Sequence, residues 1–342
     1  MLKPEEVLKQ SQNAFRQWGD KWKEHAKING KLYKENGWII KELLNQGLGK
    51  SLLCVGFGPS LEKSIELIKK YRNNVDIACV DKAFHKLLEY DIVPDYVFVA
   101  DAGIDYERWG RPAEEYSKDV ILLSNVTANP EWAANWKGRV YFYVNKDNIQ
   151  SEAIFSPLSG CKEVIPAASN VGNSIVVFGT HVLGYDKYFL VGYDSAWGVD
   201  DNYYAYNTGD INCGNKRYWM SHLSMTDYEG KLVNTSSNLL FTARWLADYC
   251  NIFARHIKIF NCSGGGILSI RKGNLEKKLR TARTRKLSKQ EKESIIAGRA
   301  DNMIITAAEG EDKLKKSLSE NNVLQVELKH ISEDTLKWLQ TR

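Results

Sequence analysis

Several classes of protein are excluded by what the sequence lacks. No two of its six cysteines have CxxC spacing, and its six histidines form no HExxH motif, so a structural zinc site is disfavoured. No run of 18 or more apolar residues occurs, and the first residues contain no apolar signal core. We therefore expect no membrane span and a cytoplasmic location. The few cysteines are also typical of a reducing compartment.

The composition is that of a folded globular protein. Of 342 residues, 43% are hydrophobic and 26% are charged, which excludes a disordered or low-complexity chain. The formal net charge is +5, but the segment 271–289 alone holds nine basic residues and one acidic residue. This segment is predicted to be either a solvated helix face or a contact for nucleic acid or an acidic protein.

Short apolar runs alternate with helical patterns through the middle of the chain. Strands are predicted at 51–56, 75–80, 96–100, 120–123, 140–144, 187–192 and 257–260. This alternation indicates an α/β fold, a Rossmann-like parallel sheet covered by helices, with helical N-terminal and C-terminal extensions. The predicted boundaries are 1–49 for the first extension, 50–268 for the catalytic domain and 269–342 for the basic, charged C-terminal region. Within the first extension, Asn29-Gly30 is predicted to break the helix.

Polar residues follow the carboxyl ends of the predicted strands, where open parallel sheets bind ligands. The glycines of the first such loop allow close backbone approach, and free amides at the next helix start favour phosphate; the alternative is a tight turn without a ligand. Carboxylates end the second, third and sixth strands, and they can bind ribose, hold a metal, act as a base or merely cap helices. These candidates are Gly56, Gly58, Pro59, Ser60, Asp81, Asp101 and Asp194.

Further candidates lie after the fourth strand, at an apolar helix start and in an aromatic insertion. Asn125 is a candidate cofactor-binding residue, and Asn170 and Gly172 open the apolar helix, either as an anion site or as a plain cap. The insertion between 197 and 222 contains Tyr203, Tyr204 and Tyr206, which are typical of a lid or a sugar-stacking wall, or anchor the loop itself. His222 is a candidate general base, although a lone histidine is more often structural.

The order of these motifs resembles a known family. The segments that carry the resemblance are GFGPSL (56–61), IVPDYVFVADAG (92–103), SNVGNSIVVFGTHVLGYDKYFLVGYD (169–194) and NCSGGGIL (261–268). Together they are similar to the MptE-like domain shared by bacterial motility accessory factors and archaeal 6-hydroxymethylpterin diphosphokinases. Residues 181–206 also resemble the bacterial sialyltransferases of the Campylobacter type. The resemblance covers about 50–268.

The resemblance implies roles for individual residues. A nucleotide would be held by the glycine loop and the apolar helix start, through Gly56, Gly58, Pro59, Ser60, Asn170 and Gly172. Asp101 and Asp194 match the strand-end acids of the family. Tyr203, Tyr204 or Tyr206 would hold the donor phosphate, and His222 would be the base.

Three functions stay open. The first is a glycosyltransferase that uses a nucleotide-sugar donor, with a CMP-activated nonulosonic acid favoured, and an unknown glycan, protein or modified DNA base as acceptor. The second is a diphosphokinase of the 6-hydroxymethylpterin type, in which Asp101 and Asp194 would hold Mg²⁺. The third is a nucleotide-binding module without catalysis.

Overall fold

The computed structural model describes residues 4–36, 38–147, 151–197, 205, 222–227, 229–253 and 256–296. Its strands are β1 Ser51–Val55, β2 Asp76–Val80, β3 Tyr96–Val99, β4 Ile121–Asn125, β5 Val140–Lys146, β6 Val164–Pro166, β7 Lys187–Val191, β8 His222–Thr226, β9 Leu232–Ser236 and β10 Lys258–Asn261. Its α-helices are α1 Pro4–Asn36, α2 Ile65–Lys70, α3 Asp81–Glu89, α4 Tyr106–Trp109, α5 Pro130–Asn135, α6 Ser151–Ser159, α7 Val171–Phe178, α8 Ser237–Ile252 and α9 Leu275–Thr281.

Eight strands form one parallel sheet in the order β10-β7-β1-β2-β3-β4-β5-β6. All residues of β1, β3 and β4 are buried, as expected for strands covered by helices on both faces. The predicted Rossmann-like parallel sheet is confirmed. Two features escaped the sequence prediction: the three-residue strand β6, and the antiparallel pair β8–β9 outside the main sheet.

The chain divides into two units, Met1–Leu287 and Ser288–Arg342. In the first unit the core extends past the last strand, because Leu275 and Leu279 of α9 and the following Ala282 are buried. The boundaries predicted at 49/50 and 268/269 stay predictions.

The predicted helical N-terminal segment is present, but the break at Asn29-Gly30 is wrong. Helix α1 continues through both residues to Asn36. The Asn29 side chain turns inward and donates to the carbonyls of Val126 and Ala128, at 2.8 and 3.0 Å. A side chain at Gly30 would collide with the Ser159 carbonyl. Both residues therefore serve close packing of α1 on the sheet domain, and neither forms a turn.

Candidate functional site

The side of the sheet on which successive strands are added changes at β1. Strands β2 to β6 are added in turn on one side of β1, whereas β7 and then β10 lie on the other side. This is the topological switch point, where open α/β sheets bind ligands beyond the carboxyl ends of the strands. The loop that follows β1 and the loop that follows β7 meet at this point.

The two loops cross in direct contact, which explains their glycines. The amide of Gly58 donates to the Gly192 carbonyl at 2.9 Å. A side chain at Gly56 would meet that carbonyl, and one at Gly58 would collide with the Asp194 carboxylate. Gly192 itself has φ 67°, a conformation that favours glycine. Loop packing therefore accounts for these glycines whether or not a ligand binds.

Asp194 lies beneath this crossing. Its side chain is buried, and one carboxylate oxygen accepts from the Ser60 amide at 3.2 Å. Burial raises the pKa of Asp194 to about 6, against the lowering effects of the Ser60 hydrogen bonds and of Lys63. Asp194 lines neither of the two pockets at this end of the sheet. Its carboxylate contacts the β1 loop, and its backbone carbonyl accepts from the Ile267 amide at 2.8 Å in the loop after β10.

A pocket of about 240 Å³ opens at the switch point, and we call it the switch-point pocket. Six of the sequence-predicted residues line it: Gly56, Gly58, Asp81, Asp101, Asn170 and Gly172. Its remaining wall is largely apolar and includes Leu239 and Leu246 of α8. Pro59 and Ser60 form the short helical turn behind the loop and do not line this pocket. An apolar cleft with a few convergent polar groups is typical of small-molecule sites.

Two carboxylates reach the switch-point pocket in different environments. Asp81 is the first residue of α3, is buried, and accepts a hydrogen bond from the Lys82 amide at 2.7 Å. Burial raises the pKa of Asp81 to about 7, opposed by Lys82 and reinforced by Asp101. Asp101 is exposed, and its carboxylate accepts from the Gly103 amide at 2.7 Å. The site thus combines a carboxyl that titrates near neutrality with an accessible carboxylate.

Asn170 caps helix α7 and also faces the ligand space. Its side-chain oxygen accepts from the Asn173 amide at 2.7 Å, which is the usual N-cap contact. Capping of α7, one of the two predicted roles of Asn170, is therefore observed. Asn170 also lines both pockets, at the positive end of the α7 dipole.

A second pocket of about 570 Å³ adjoins the first, and we call it the α1 pocket. The two share Asp101, Asn170 and Val171. Asn125, at the end of β4, lines this second space, as do half-buried tryptophans of α1 and α8: Trp18, Trp22 and Trp245. The sequence did not indicate the contribution of α1. The helical spacing of its aromatic residues was the available signal, but such spacing is equally typical of packing.

Some predicted residues cannot be placed in the site. Tyr203, Tyr204 and Tyr206 lie outside the described residues. His222 begins β8, but its side chain is also outside the described part of the chain.

The two carboxylates expected to hold Mg²⁺ in a diphosphokinase do not line the same pocket. Of the two expected carboxylate ligands, Asp101 is exposed in the pockets, whereas Asp194 is buried against Ser60 and lines neither. Within the described residues, no group of three or more His, Cys, Asp or Glu side chains is arranged to hold a metal.

Fold and site together define a Rossmann-like α/β protein with two adjoining pockets at the switch point, which form the candidate ligand site. A family model described as 6-hydroxymethylpterin diphosphokinase MptE-like matches residues 30–200, half of the chain. The chain belongs to this family. No curated protein matches it.

Among solved structures, the chain is similar to a "MAf glycosyltransferase from Magnetospirillum magneticum AMB-1", with a TM-score of 0.55 and 21% sequence identity. The match covers 82% of this chain and 42% of the other, so this chain spans less than half the length of that protein. At this identity the likeness shows the fold. The family match supports a transferase. In the described part of the chain, no helix has the length and apolarity to cross a bilayer.

Proposed function

We propose that the protein is a glycosyltransferase with a nucleotide-activated sugar donor, and that a CMP-linked nonulosonic acid is the favoured donor class. The observation that carries this proposal is the pair of joined pockets, one at the switch point and one beside it, with Asp101 in both linings. A group-transfer enzyme must hold two substrates whose reacting atoms meet. The likeness to a protein titled a glycosyltransferase supports the same choice.

In this proposal the nucleotide occupies the switch-point pocket. The start of α7, with Asn170 and Gly172, offers amides and a helix dipole to the donor phosphate. The apolar residues of α8 provide a wall for the nucleobase.

The reaction in this proposal is a displacement at the anomeric carbon. The acceptor oxygen forms the new bond to that carbon, the bond to the phosphate oxygen breaks, and the nucleotide leaves with the electron pair. The acceptor hydroxyl proton must go to a base. Asp101 is our candidate, because it is exposed where the two pockets join. His222 stays a prediction for this role.

A thermal-shift panel tests the proposal. CMP, CDP, UDP, GDP, ADP and ATP are each added with Mg²⁺ and with EDTA, because a ligand of the folded state raises the melting temperature. We expect stabilisation by CMP that does not depend on Mg²⁺. Stabilisation by ATP that disappears in EDTA would instead favour diphosphokinase chemistry, and no shift with any nucleotide would favour a module without catalysis.

A pair of matched variants locates the nucleotide. Asn170→Ser keeps a side chain that caps α7 but removes the amide in the pockets. Asn274→Ser makes the same change at the cap of α9, where Asn274 accepts from the Lys277 amide at 2.8 Å. Loss of one hydrogen bond predicts about 2- to 10-fold weaker CMP binding for Asn170→Ser. Unchanged binding in both variants would remove Asn170 from the donor site.

A further inference from the structure

The face of α1 that meets the sheet domain is also a wall of the α1 pocket. Ser11, Ala14, Trp18 and Trp22 line the pocket. Their spacing of three and four residues places them on one side of the helix. The same stripe continues to His25 and Asn29, which bond to the carbonyls of residues 126–128. The pocket wall is therefore fixed to the loop that follows β4.

The tryptophans of this wall stand close to the carboxylate shared by both pockets. An added Cβ at Gly103 would lie 3.2 Å from the Trp18 ring, and the Gly103 amide bonds to Asp101. Trp22 packs against Phe155 of α6, with ring centroids 6.3 Å apart. The indole of Trp18 thus lies beside the Asp101 turn, where the two proposed substrates would meet.

Polar groups complete the pocket around the indoles. Asn125 is 2% exposed, and its side-chain oxygen accepts from the amide and hydroxyl of Thr127 at 3.0 and 2.8 Å. Its side-chain nitrogen has no hydrogen-bond partner among the described residues. A buried amide without a partner is costly, so a ligand hydroxyl in the α1 pocket would supply what this side chain lacks. Asn145 and Ser169 add further polar groups to the lining.

Aromatic faces next to amide groups fit one class of ligand better than others. A pyranose ring has an apolar face of C–H groups, which suits an indole, and a rim of hydroxyls, which suits side-chain amides. The family match begins at residue 30, so Trp18 and Trp22 come from outside the part of the chain that the family shares. The shared part supplies Asp101, Asn125 and Asn170.

We propose that the α1 pocket binds a sugar ring against Trp18 and Trp22, and that α1 thereby determines which sugar the enzyme accepts. This inference rests on the proposed glycosyltransferase function and names the residues that would give it specificity. The helix predicted to precede the catalytic domain becomes part of the substrate site.

Binding of free monosaccharides tests the inference without any assumption about the donor. Saturation-transfer NMR with N-acetylneuraminic acid, N-acetylglucosamine, galactose and mannose at millimolar concentration measures contact and affinity on the full chain. We expect at least one sugar to bind. Trp18→Ala should weaken that sugar about tenfold, since stacking and apolar contact are both lost, and Trp18→Phe should restore part of it.

Two further variants separate binding from folding. Trp38→Ala removes a partly exposed indole that packs on Tyr141 and lines neither pocket, and it should bind the sugar normally. Asn125→Asp keeps an oxygen acceptor for Thr127 but replaces the unpartnered N–H donor by a negatively charged oxygen, and it should weaken binding several-fold. CMP-induced stabilisation should be unchanged in the tryptophan variants.

The outcomes distinguish this inference from the function on which it rests. Absence of a CMP shift would overturn the proposed donor. A normal CMP shift with no sugar bound, or with sugar bound equally by Trp18→Ala, would overturn the sugar pocket alone. Displacement of a bound sugar by 6-hydroxymethylpterin with higher affinity would assign the same pocket to a flat heteroaromatic ring, and would also overturn the inference.

Discussion

Asp81 holds a carboxyl group that burial makes costly to ionise. It is 6% exposed at the start of α3, and its nearest compensating groups are Lys82 and the Lys82 amide. Desolvation favours the neutral form of a buried acid. Its shifted pKa and its place in the lining of the switch-point pocket together make Asp81 a candidate functional residue.

The pKa shift of Asp81 predicts a particular dependence of stability on pH. Its pKa is raised from 3.8 to about 7 in the folded protein. Between these values the folded state therefore binds more protons than the unfolded state, and this group's contribution to stability decreases as pH rises through that window. Asp81→Asn removes the ionisation. We expect it to raise the free energy of unfolding by about 2 to 4 kcal/mol more at pH 8 than at pH 4.

Urea unfolding at the two pH values measures this difference. Asp105→Asn, an exposed acid before α4, is the control and should change stability little at either pH. An Asp81→Asn variant that is equally affected at pH 4 and pH 8 would show that Asp81 ionises in the folded protein as easily as in the unfolded chain.

At the scale of elements, α1 shows what the sequence predicted and what it could not. The Asn29-Gly30 pair has the composition of a turn, and local rules place a helix break there. The pair is retained in a continuous helix because its partners, Ser159 and the carbonyls of residues 126–128, are distant in sequence. Contacts of this kind are tertiary, and no local pattern reports them. The same limit explains why the role of α1 in the second pocket was missed.

Gly30 and Gly19 of α1 give opposite predictions for the same substitution. Alanine stabilises a helix interior by about 1 kcal/mol relative to glycine. At Gly30 the added methyl group meets the backbone of Ser159, so we expect Gly30→Ala to destabilise the protein by about 1 to 3 kcal/mol. At Gly19 the nearest atoms belong to the Phe15 side chain, at 3.3 Å, and this ring can shift. Gly19→Ala should be neutral or stabilising.

Thermal or urea unfolding of both variants measures the contrast. If Gly30→Ala is as stable as Gly19→Ala, the close contact between α1 and α6 is absent in solution. The α1 pocket would then lose the support on which its shape depends.

At the scale of the whole molecule, the parallel sheet and the strand-end residues of the switch-point pocket could be predicted from the sequence, whereas the walls from α1 and α8 could not. Apolar runs locate strands, and polar residues at their carboxyl ends meet at one edge of a parallel sheet, which brings Gly56, Asp81 and Asp101 together. The position of Asp194 could not be predicted in this way. Its carboxylate is turned toward the Ser60 amide by the crossing of two loops, and that crossing depends on the order of strands in space.

The part of the basic segment 271–289 around Leu279 and Arg285 lies at the opposite end of the strands from the pockets, whereas Arg271 and Lys272 lie beside Asn261 at the carboxyl end of β10. The Arg285 amide donates to the Gly49 carbonyl, and the side chain of Asn74 donates to Leu279; Gly49 and Asn74 precede β1 and β2. The pockets follow the other ends of these strands, on the order of 15 to 20 Å away at about 3.3 Å per residue. Nucleic acid bound only by the part around Leu279 and Arg285 would not thereby present a base to the pockets.

This separation predicts that positive charges of the basic segment can be removed without an effect on nucleotide binding. The triple variant Arg280→Gln, Arg283→Gln and Lys286→Gln neutralises three exposed side chains of the basic segment. We expect its melting temperature and CMP-induced stabilisation to be unchanged. If the segment contacts nucleic acid, the slope of log affinity for duplex DNA against log salt should decrease by about 3, because each neutralised phosphate contact contributes about 0.9.

A second triple variant controls for net charge alone. Lys27→Gln, Lys31→Gln and Lys41→Gln remove the same charge from exposed positions near α1 and leave the basic segment intact. Equal DNA affinity and salt slope in both variants would show that 271–289 is a solvated face. Charges 15 to 20 Å from a bound phosphate are largely screened at about 0.15 M salt. Loss of the CMP shift in the first variant but not in the second would therefore place the basic segment in the nucleotide site. It would contradict the separation between this part of the segment and the pockets.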